Sequence, residues 1–500
     1  MHTAMAIFEY TTHLPYPREM VFRWFERPGA LPRLSAPFSG SIRQEPDKGL
    51  AVGSRAVMDV AAPGTLGTGL AAAIAAGAQA LGLPRRVRAE IPWHAKHISL
   101  NPGHDFTDIM ESGPLARWEH QHLFTDDGDG QNRGTVMRDV VEYELPLLGR
   151  IPRGRAHKLA ERAFKHELIQ VFRYRERMLR ADLAFHASHD AKPMTIAVAG
   201  ASGLIGTQLC ALLGGGGHRI KRLVRDRRAV TGEDTIFWAP DHAVLDAEEL
   251  RDVDAVVNLA GHTIGGRFTA SAKEEIRSSR VLGTGLLARA LASLANDGKQ
   301  RSLIVASGIG IYGVNPHAGG QAVPLHEDAQ PGKDFLAEVC AAWEDACLPA
   351  REAGVRVVNV RTGLVQSPAT GVLQRMLPLY ALGLGGPLGS EAWQSWISID
   401  DVVGIYAHAL LTDSLAGPVN AVAPHPVQAK DYAQVLGKVL RRPARIPIPA
   451  FGPRLLLGKQ GAEELAFADQ LVSSRKIEDS GYLFRHPDLE SALRHVLGHS

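Results

Sequence analysis

Met194-Thr195-Ile196-Ala197-Val198-Ala199-Gly200 is an apolar run ending on glycine, and Ala201-Ser202-Gly203-Leu204-Ile205-Gly206 follows it directly, ahead of the helical stretch Thr207 to Leu213. Strand, glycine turn and helix in immediate succession predict a dinucleotide site, where a lone glycine pattern would say little. Gly200 allows the tight turn, Gly203 lets the backbone approach a pyrophosphate, and Gly206 lets the helix pack closely on the strand. The free N–H groups at the helix start then face the phosphates. The alternative, a glycine turn that holds no ligand, has the flanking strand and helix against it.

Downstream, HRIKRLVR, DAVVNLAG, SLIVASG and VRVVNVRTG are continuous apolar strands alternating with helical stretches. That pattern predicts a doubly wound parallel α/β sheet, covered on both faces. Upstream, AIFEYTTHL, WEHQHLF and VMRDVVEYEL alternate with the period of a half-buried strand, and a charged helical pattern runs from Arg153 to Arg180. These predict an antiparallel α+β domain that ends in a long helix. The composition breaks at HASHDAKP. The expected organisation is therefore an α+β domain over 1–185, a linker over 186–193 and a Rossmann domain over 194–425, and the family resemblance set out below implies a small C-terminal α/β subdomain over 426–500.

With 55 Lys+Arg against 53 Asp+Glu, the chain lacks the field that would gather nucleic acid or an acidic membrane, so a small-molecule substrate is expected. Cys210, Cys340 and Cys347 show no Cys-x-x-Cys spacing, which fits unpaired thiols in a reducing compartment. The N-terminus lacks the pattern of a signal peptide, and a cytoplasmic location is expected. Ala61 to Leu83 has the length of a membrane span, but its bulk is Ala and Gly, which contribute little to transfer into lipid. It is read as a soluble helix or insertion.

The spacing Gly-x-x-Gly-x-x-Gly resembles the extended and atypical short-chain dehydrogenases/reductases. Asn258-Leu259-Ala260-Gly261 is similar to that superfamily's Asn-Ala-Gly segment, and the resemblance implies that it lines the adenosine-ribose side of the cofactor. Ser307 stands where the superfamily places a catalytic Ser/Thr, with Tyr312-Gly313 behind it; a strand-end serine that satisfies backbone groups is the alternative. At the end of the second strand Arg225 stands where NAD-binding domains usually carry an acid, which points to the 2′-phosphate of NADP(H). Asp226 is adjacent and keeps NAD(H) open. From Met194 to Ser500 the chain resembles the epimerase-like oxidoreductases of the atypical group, through Ser278-Ser279-Arg280, Gly283-Thr284, GKDFLAEVCAAWE (332–344), Ser395-Trp396-Ile397 with Asp400-Asp401, and Gly417-Pro418-Val419-Asn420.

Reductases of this superfamily normally carry Tyr-x-x-x-Lys, whose lysine lowers the phenol pKa for proton transfer. None of the nine tyrosines has Lys four places on, and Phe335 and Val339 occupy the two positions. Three outcomes stay open: another acid such as Tyr312 serves, the substrate needs none, or the domain only senses cofactor. Lys333 and Arg361 are charged candidates for the open side of the site. The expected function is an NADP(H)-dependent oxidoreductase or epimerase acting on a carbonyl or hydroxyl compound, and the alternative is a non-catalytic, cofactor-responsive binding protein.

Residues 1 to about 185 resemble the START-like helix-grip superfamily, through FRWFERPGALPRL (22–34), Gly113-Pro114, Trp118-Glu119-His120, Asp139, and Glu142-Tyr143 with Leu145-Pro146. The resemblance implies a cavity for a hydrophobic ligand, with Trp24, Trp93, Trp118 and Phe124 as candidate lining. His120-Gln121-His122 on a strand would point both imidazoles to one face. No Asp/Glu/His set at compact spacing completes a metal site, so none is expected. Oligomeric state is not legible in the sequence.

Overall fold

Two stretches of strand-forming sequence build two separate sheets. The computed structural model describes residues 5–61, 90–128, 133–145, 155–315, 322–389 and 391–499. The chain divides into two compact units, Met1–Ser188 with Gly214–Gly216 and Arg494–Ser500, and His189–Leu213 with Gly217–Leu493.

In the first unit, β1 (Ala6–Leu14), β2 (Gly40–Gln44), β3 (Arg55–Ala61), β4 (Glu90–Asn101), β5 (Asp105–Ser112), β6 (Arg117–Asp127) and β7 (Gly134–Glu144) are the strands of the described residues. They pair antiparallel in the order β1-β7-β6-β5-β4-β3-β2. The period-2 patterning holds in detail: along β7 every second residue is buried from Thr135 to Tyr143. Those inward residues meet a 35-residue helix, Arg155–His189. Phe22, Trp24 and Phe25 of the helix Arg18–Glu26 pack with Phe106 and Phe124 of the sheet and with Tyr174, Met178 and Leu183 of the long helix. Trp24 and Phe124 are thus core residues, while Trp93 and Trp118 form a half-buried edge-to-face pair, centroids 5.2 Å apart. A fully buried bidentate pair, Arg33 to Asp182 at 2.7 and 2.8 Å, joins the helix Ala30–Leu34 to the long helix. That long helix runs through His186–His189, so the expected linker is helical in its first half. Alanine and histidine there continue the helix, which stops only where Asp190 takes a positive φ of 33°.

The second unit contains β8 (Thr195–Ala199), β9 (Arg219–Val224), β10 (Thr235–Ala239), β11 (Val244–Leu245), β12 (Ala255–Asn258), β13 (Ser302–Gly308), β14 (Arg356–Thr362), β15 (Leu364–Gln366), β16 (Trp393–Gln394), β17 (Trp396–Ser398), β18 (Gly417–Ala421) and β19 (Val427–Gln428). The main sheet has the order β11-β10-β9-β8-β12-β13-β14-β18 and is parallel except for β11 at one edge. β15 pairs with β17 and β16 with β19. Ile196 to Ala199 and Ala255 to Val257 are wholly buried, as strands covered on both faces must be. The strand order reverses between β8 and β12, so the crevice where ligands bind in such sheets opens beyond Ala199 and Asn258. The small C-terminal part combines the short strand β19 with the helices Ala429–Leu440, Phe451–Leu465, Arg475–Asp479 and Leu489–Leu497.

Cys210, Cys340 and Cys347 are buried and free of disulfides. Among the described residues no helix is long and apolar enough to cross a membrane. Of the apolar stretch Ala61 to Leu83, residues 62–83 lie outside the described residues, as does Pro146.

Candidate functional site

The helix after β8 begins at Leu204, three residues earlier than its sequence pattern predicts, so the glycine turn is also the helix start. Gly200 has φ +78°, and a Cβ there would stand 2.8 to 2.9 Å from the backbone of Leu259 and Ala260. A Cβ on Gly206 would fall 2.1 Å from the carbonyl oxygen of Gly200. The chain's own packing therefore demands both glycines. Gly203 differs: its Cβ would meet only the Gly200 oxygen, at 3.3 Å, and both Gly203 and Ser202 are exposed. No described residue fills the space over Gly203, as close approach of a ligand to the backbone requires. Ala201, Leu204 and Ile205 are half-buried around it.

Arg225 is exposed just past β9 and has no hydrogen bond or ion pair among the described residues. Its neighbours are committed locally. Asp226 accepts from the Arg228 N–H at 2.9 Å, capping the short turn Arg227–Ala229, and its carboxylate also meets the Arg228 guanidinium at 3.4 Å. Arg227 lies 4.0 Å over the ring of Phe237. The acid that kept NAD(H) open is thus used as a turn cap, and Arg225 is the uncommitted charge.

At the end of β12, Asn258 is fully buried. Its amide donates to Thr284 Oγ1 at 2.8 Å and its oxygen accepts from the Ala260 N–H at 3.1 Å. Trp343 Nε1 donates to the same threonine oxygen at 2.8 Å. Asn258 therefore shapes the loop with its side chain. Half-buried Leu259 and Ala260 and exposed Gly261 are what that loop presents.

Ser307 and Tyr312 come together, but inside the protein. They are 5% and 2% exposed. Ser307 donates to Glu344 Oε1 at 2.8 Å, and Arg361 grips that carboxylate with two bonds of 2.9 Å. Arg361 also donates to Tyr312 Oη at 3.0 Å and to the Glu327 carbonyl at 2.8 Å, while Tyr312 donates to Asn420 Oδ1 at 2.6 Å. Burial pushes the Tyr312 phenol up to about 12. Arg361, expected on the open side, is instead the buried hub, because Ser307 and Arg361 are register partners on β13 and β14 and share Glu344. Sequence reasoning missed Glu344, Glu327 and Asn420 as partners, although Glu344 and Asn420 ended two of the quoted segments.

The two positions of the missing dyad lie on the helix Phe335–Asp345 and have different surroundings. Val339 is 2% exposed, in the core. Phe335 is half-buried and lines a cleft of about 760 Å³ with Lys273, Val314, Lys333, Glu338 and Glu463. Lys273 Nζ stands 5.1 Å from the Phe335 ring centroid. Asp334 and Glu464, at the same rim, are occupied with the N–H groups of Ala337 and Leu336, at 3.1 and 2.9 Å. Lys273, Lys333, Glu338 and Glu463 have no such partner among the described residues and remain available to a ligand. Of the charged candidates from sequence, Lys333 is therefore at the open cleft and Arg361 is not.

In the first unit the fold brings together an Asp/His set that no compact sequence spacing announced. Strand register supplies the missing acids: Asp108 on β5 is opposite His120, and Asp139 on β7 is opposite His122. His120, His122 and Asp139 are each 3% exposed. Burial, with His122 alongside, pushes the His120 imidazole down to about 4.

Comparison with known proteins agrees with this geometry. The profile of the NAD dependent epimerase/dehydratase family matches residues 196–421, and a domain of unknown function, DUF1731, matches residues 448–496. An epimerase family protein of Mycobacterium bovis is 38% identical over 300 residues, which are 60% of this chain and 96% of that protein. The crystal structure of a nucleoside-diphosphate sugar epimerase from Corynebacterium glutamicum is similar over 98% of this chain and 90% of its own, with TM-score 0.73 and 32% identity. The human epimerase family protein SDR39U1, solved with NADPH, is 31% identical with TM-score 0.53, covering 61% of this chain and 99% of that one. With its glycine turn at the sheet's switch point and relatives matched over nearly their whole length, this chain belongs to the NAD-dependent epimerase/dehydratase family.

Proposed function

We propose that the second unit binds NADP(H) in preference to NAD(H) and works as an oxidoreductase or epimerase on a small carbonyl or hydroxyl compound. The observation that carries the cofactor choice is the division of labour after β9, with Asp226 spent on a turn and Arg225 exposed and unpaired. A guanidinium so placed suits a 2′-phosphate. The NADPH in the human relative's structure supports the same choice. Gly200 to Gly206 and Leu259 to Gly261 hold the pyrophosphate and adenosine side, with Asn258 fixing the second loop from below. The bound cofactor supplies or accepts hydride.

Substrate would enter at the Phe335 cleft, where Lys273 and Lys333 are the ammonium groups available to orient an oxygen or donate a proton. Ser307 and Tyr312 would act from beneath, fixing the ends of β13 and β14, since neither hydroxyl reaches the surface. The second reading, a cofactor-responsive binding protein without turnover, draws its support from that burial and from Phe335 and Val339. The first unit, an antiparallel sheet against one long helix, is read as a START-like module for a hydrophobic ligand. Fluorescence titration of the intact chain with NADPH and NADH tests the cofactor choice, and equal affinities would defeat it. A panel of carbonyl compounds with NADPH separates the enzyme from the binding protein, because the latter reduces none.

A further inference from the structure

We infer that the first unit holds a divalent transition-metal ion of the zinc class, bound by Asp108 Oδ2, His120 Nδ1 and His122 Nε2 and backed by Asp139. One ligand atom from each of the three residues lies within 4.8 Å of the others. Asp108 Oδ2 is 3.8 Å from His120 Nδ1 and 3.5 Å from His122 Nε2. The longer is beyond hydrogen-bond reach and the shorter stands at its limit. They are close to the roughly 3.3 Å between ligand atoms of a tetrahedral ion with bonds of about 2.0–2.1 Å.

The opposite sides of the two rings give an independent indication. His120 Nε2 lies 2.9 Å from Asp139 Oδ1, and His122 Nδ1 lies 2.8 Å from the same oxygen. One buried carboxylate thus holds the outer nitrogen of each imidazole and turns the inner nitrogens toward Asp108. Metal-bound histidines are characteristically held in this way, through the nitrogen that does not bind the ion.

Charge points the same way. Two carboxylates, two neutral imidazoles and one divalent cation sum to zero, the balance that a buried ionic cluster needs. The nearby cation of the long helix, Arg175, sits over the Phe172 ring at 5.2 Å and pairs with neither carboxylate. Two histidines and one carboxylate leave a coordination position open. Asp108, with 17% of its side chain exposed, marks the side from which the ion and a further ligand enter.

The test uses the full chain, stripped with a chelator and checked for its fold by circular dichroism. Zn²⁺ is titrated in competition with a chromophoric chelator, and Co²⁺ is followed by visible absorption. The expected result is a strong site whose Co²⁺ bands are those of four- or five-coordination and vanish when Zn²⁺ is added. Asp139→Asn should weaken Zn²⁺ by about 10- to 100-fold. Asp108→Asn combined with His120→Gln should lower the stoichiometry by one ion per chain. The inference is overturned if Co²⁺ in the unmodified chain shows only the six-coordinate aqua spectrum, or if the double variant, folded, binds Zn²⁺ as tightly as the parent. The Co²⁺ spectrum decides even if the double variant does not fold.

Discussion

Each unit buries a cluster of charged and polar side chains, and the two clusters are finished to different degrees. In the second unit Ser307, Glu344, Arg361, Tyr312 and Asn420 close on one another, with the ion pair at 2.9 Å and every hydroxyl donating to an acceptor. In the first, His120, His122 and Asp139 are as deeply placed, but Asp108, with 17% of its side chain exposed, leaves contacts of 3.5 and 3.8 Å to the two rings. A closed network has its role in holding strands together. An open one, at the same cost in desolvation, has capacity left for a ligand.

The largest effect that would break this contrast is in the closed cluster. Glu344→Ala leaves the Arg361 charge buried without its partner and should cost about 3–5 kcal/mol in denaturant unfolding. A loss below 1 kcal/mol would mean the network is not a structural unit. In the open cluster the sign reverses on adding a ligand: Zn²⁺ at a hundred times its dissociation constant should stabilise the first unit by about 2.7 kcal/mol. The transition of the second unit should stay where it was, and calorimetry with and without Zn²⁺ reads both.

The cofactor turn offers a finer contrast. Arg225→Asp should weaken NADPH by about 10- to 100-fold, the worth of a charge-assisted bond of about 1.5–3 kcal/mol, and should leave NADH nearly unchanged. Gly203→Ala should keep the melting temperature within a few degrees yet lower NADPH affinity, whereas Gly206→Ala, with 2.1 Å to the Gly200 oxygen, should destabilise the fold itself. The smallest effect belongs to Ser307→Ala. It removes one hydrogen bond inside an otherwise intact network, and about 1 kcal/mol of stability is the expected loss, with NADPH affinity unaltered. A large fall in kcat at unchanged stability would return Ser307 to a catalytic role.

What the sequence made legible were features carried by neighbours in the chain. The strand, turn and helix around Gly200 lie within twenty residues, and their order alone placed the switch-point crevice. The alternation of WEHQHLF likewise announced a strand with His120 and His122 on one face. Partnerships set by strand register stayed hidden. Ser307 meets Glu344 37 positions later, and Arg361 meets that same carboxylate from a neighbouring strand. Asp139 reaches His120 across 19 positions. No spacing rule encodes those distances, so Arg361 read as a charged candidate for the open side of the site, and neither aspartate was read as a partner of the two histidines. Composition also misplaced the end of the long helix, since HASH breaks a hydrophobic pattern without breaking a helix.

The strand order of the first sheet also constrains how the chain is made. Among the described residues β1 has its only strand partner in β7, so Ala6–Leu14 finds its place only after Gly134–Glu144 has been synthesised. At roughly 5–20 residues per second, that interval is on the order of ten seconds. Throughout it β1, with Phe8 and Leu14 destined for the core, awaits β7 and offers its backbone to other chains. Production of this protein in a foreign host should accordingly be limited by capture of β1 in the nascent chain, and slower growth temperatures or a chaperone that shelters this strand should raise the soluble yield.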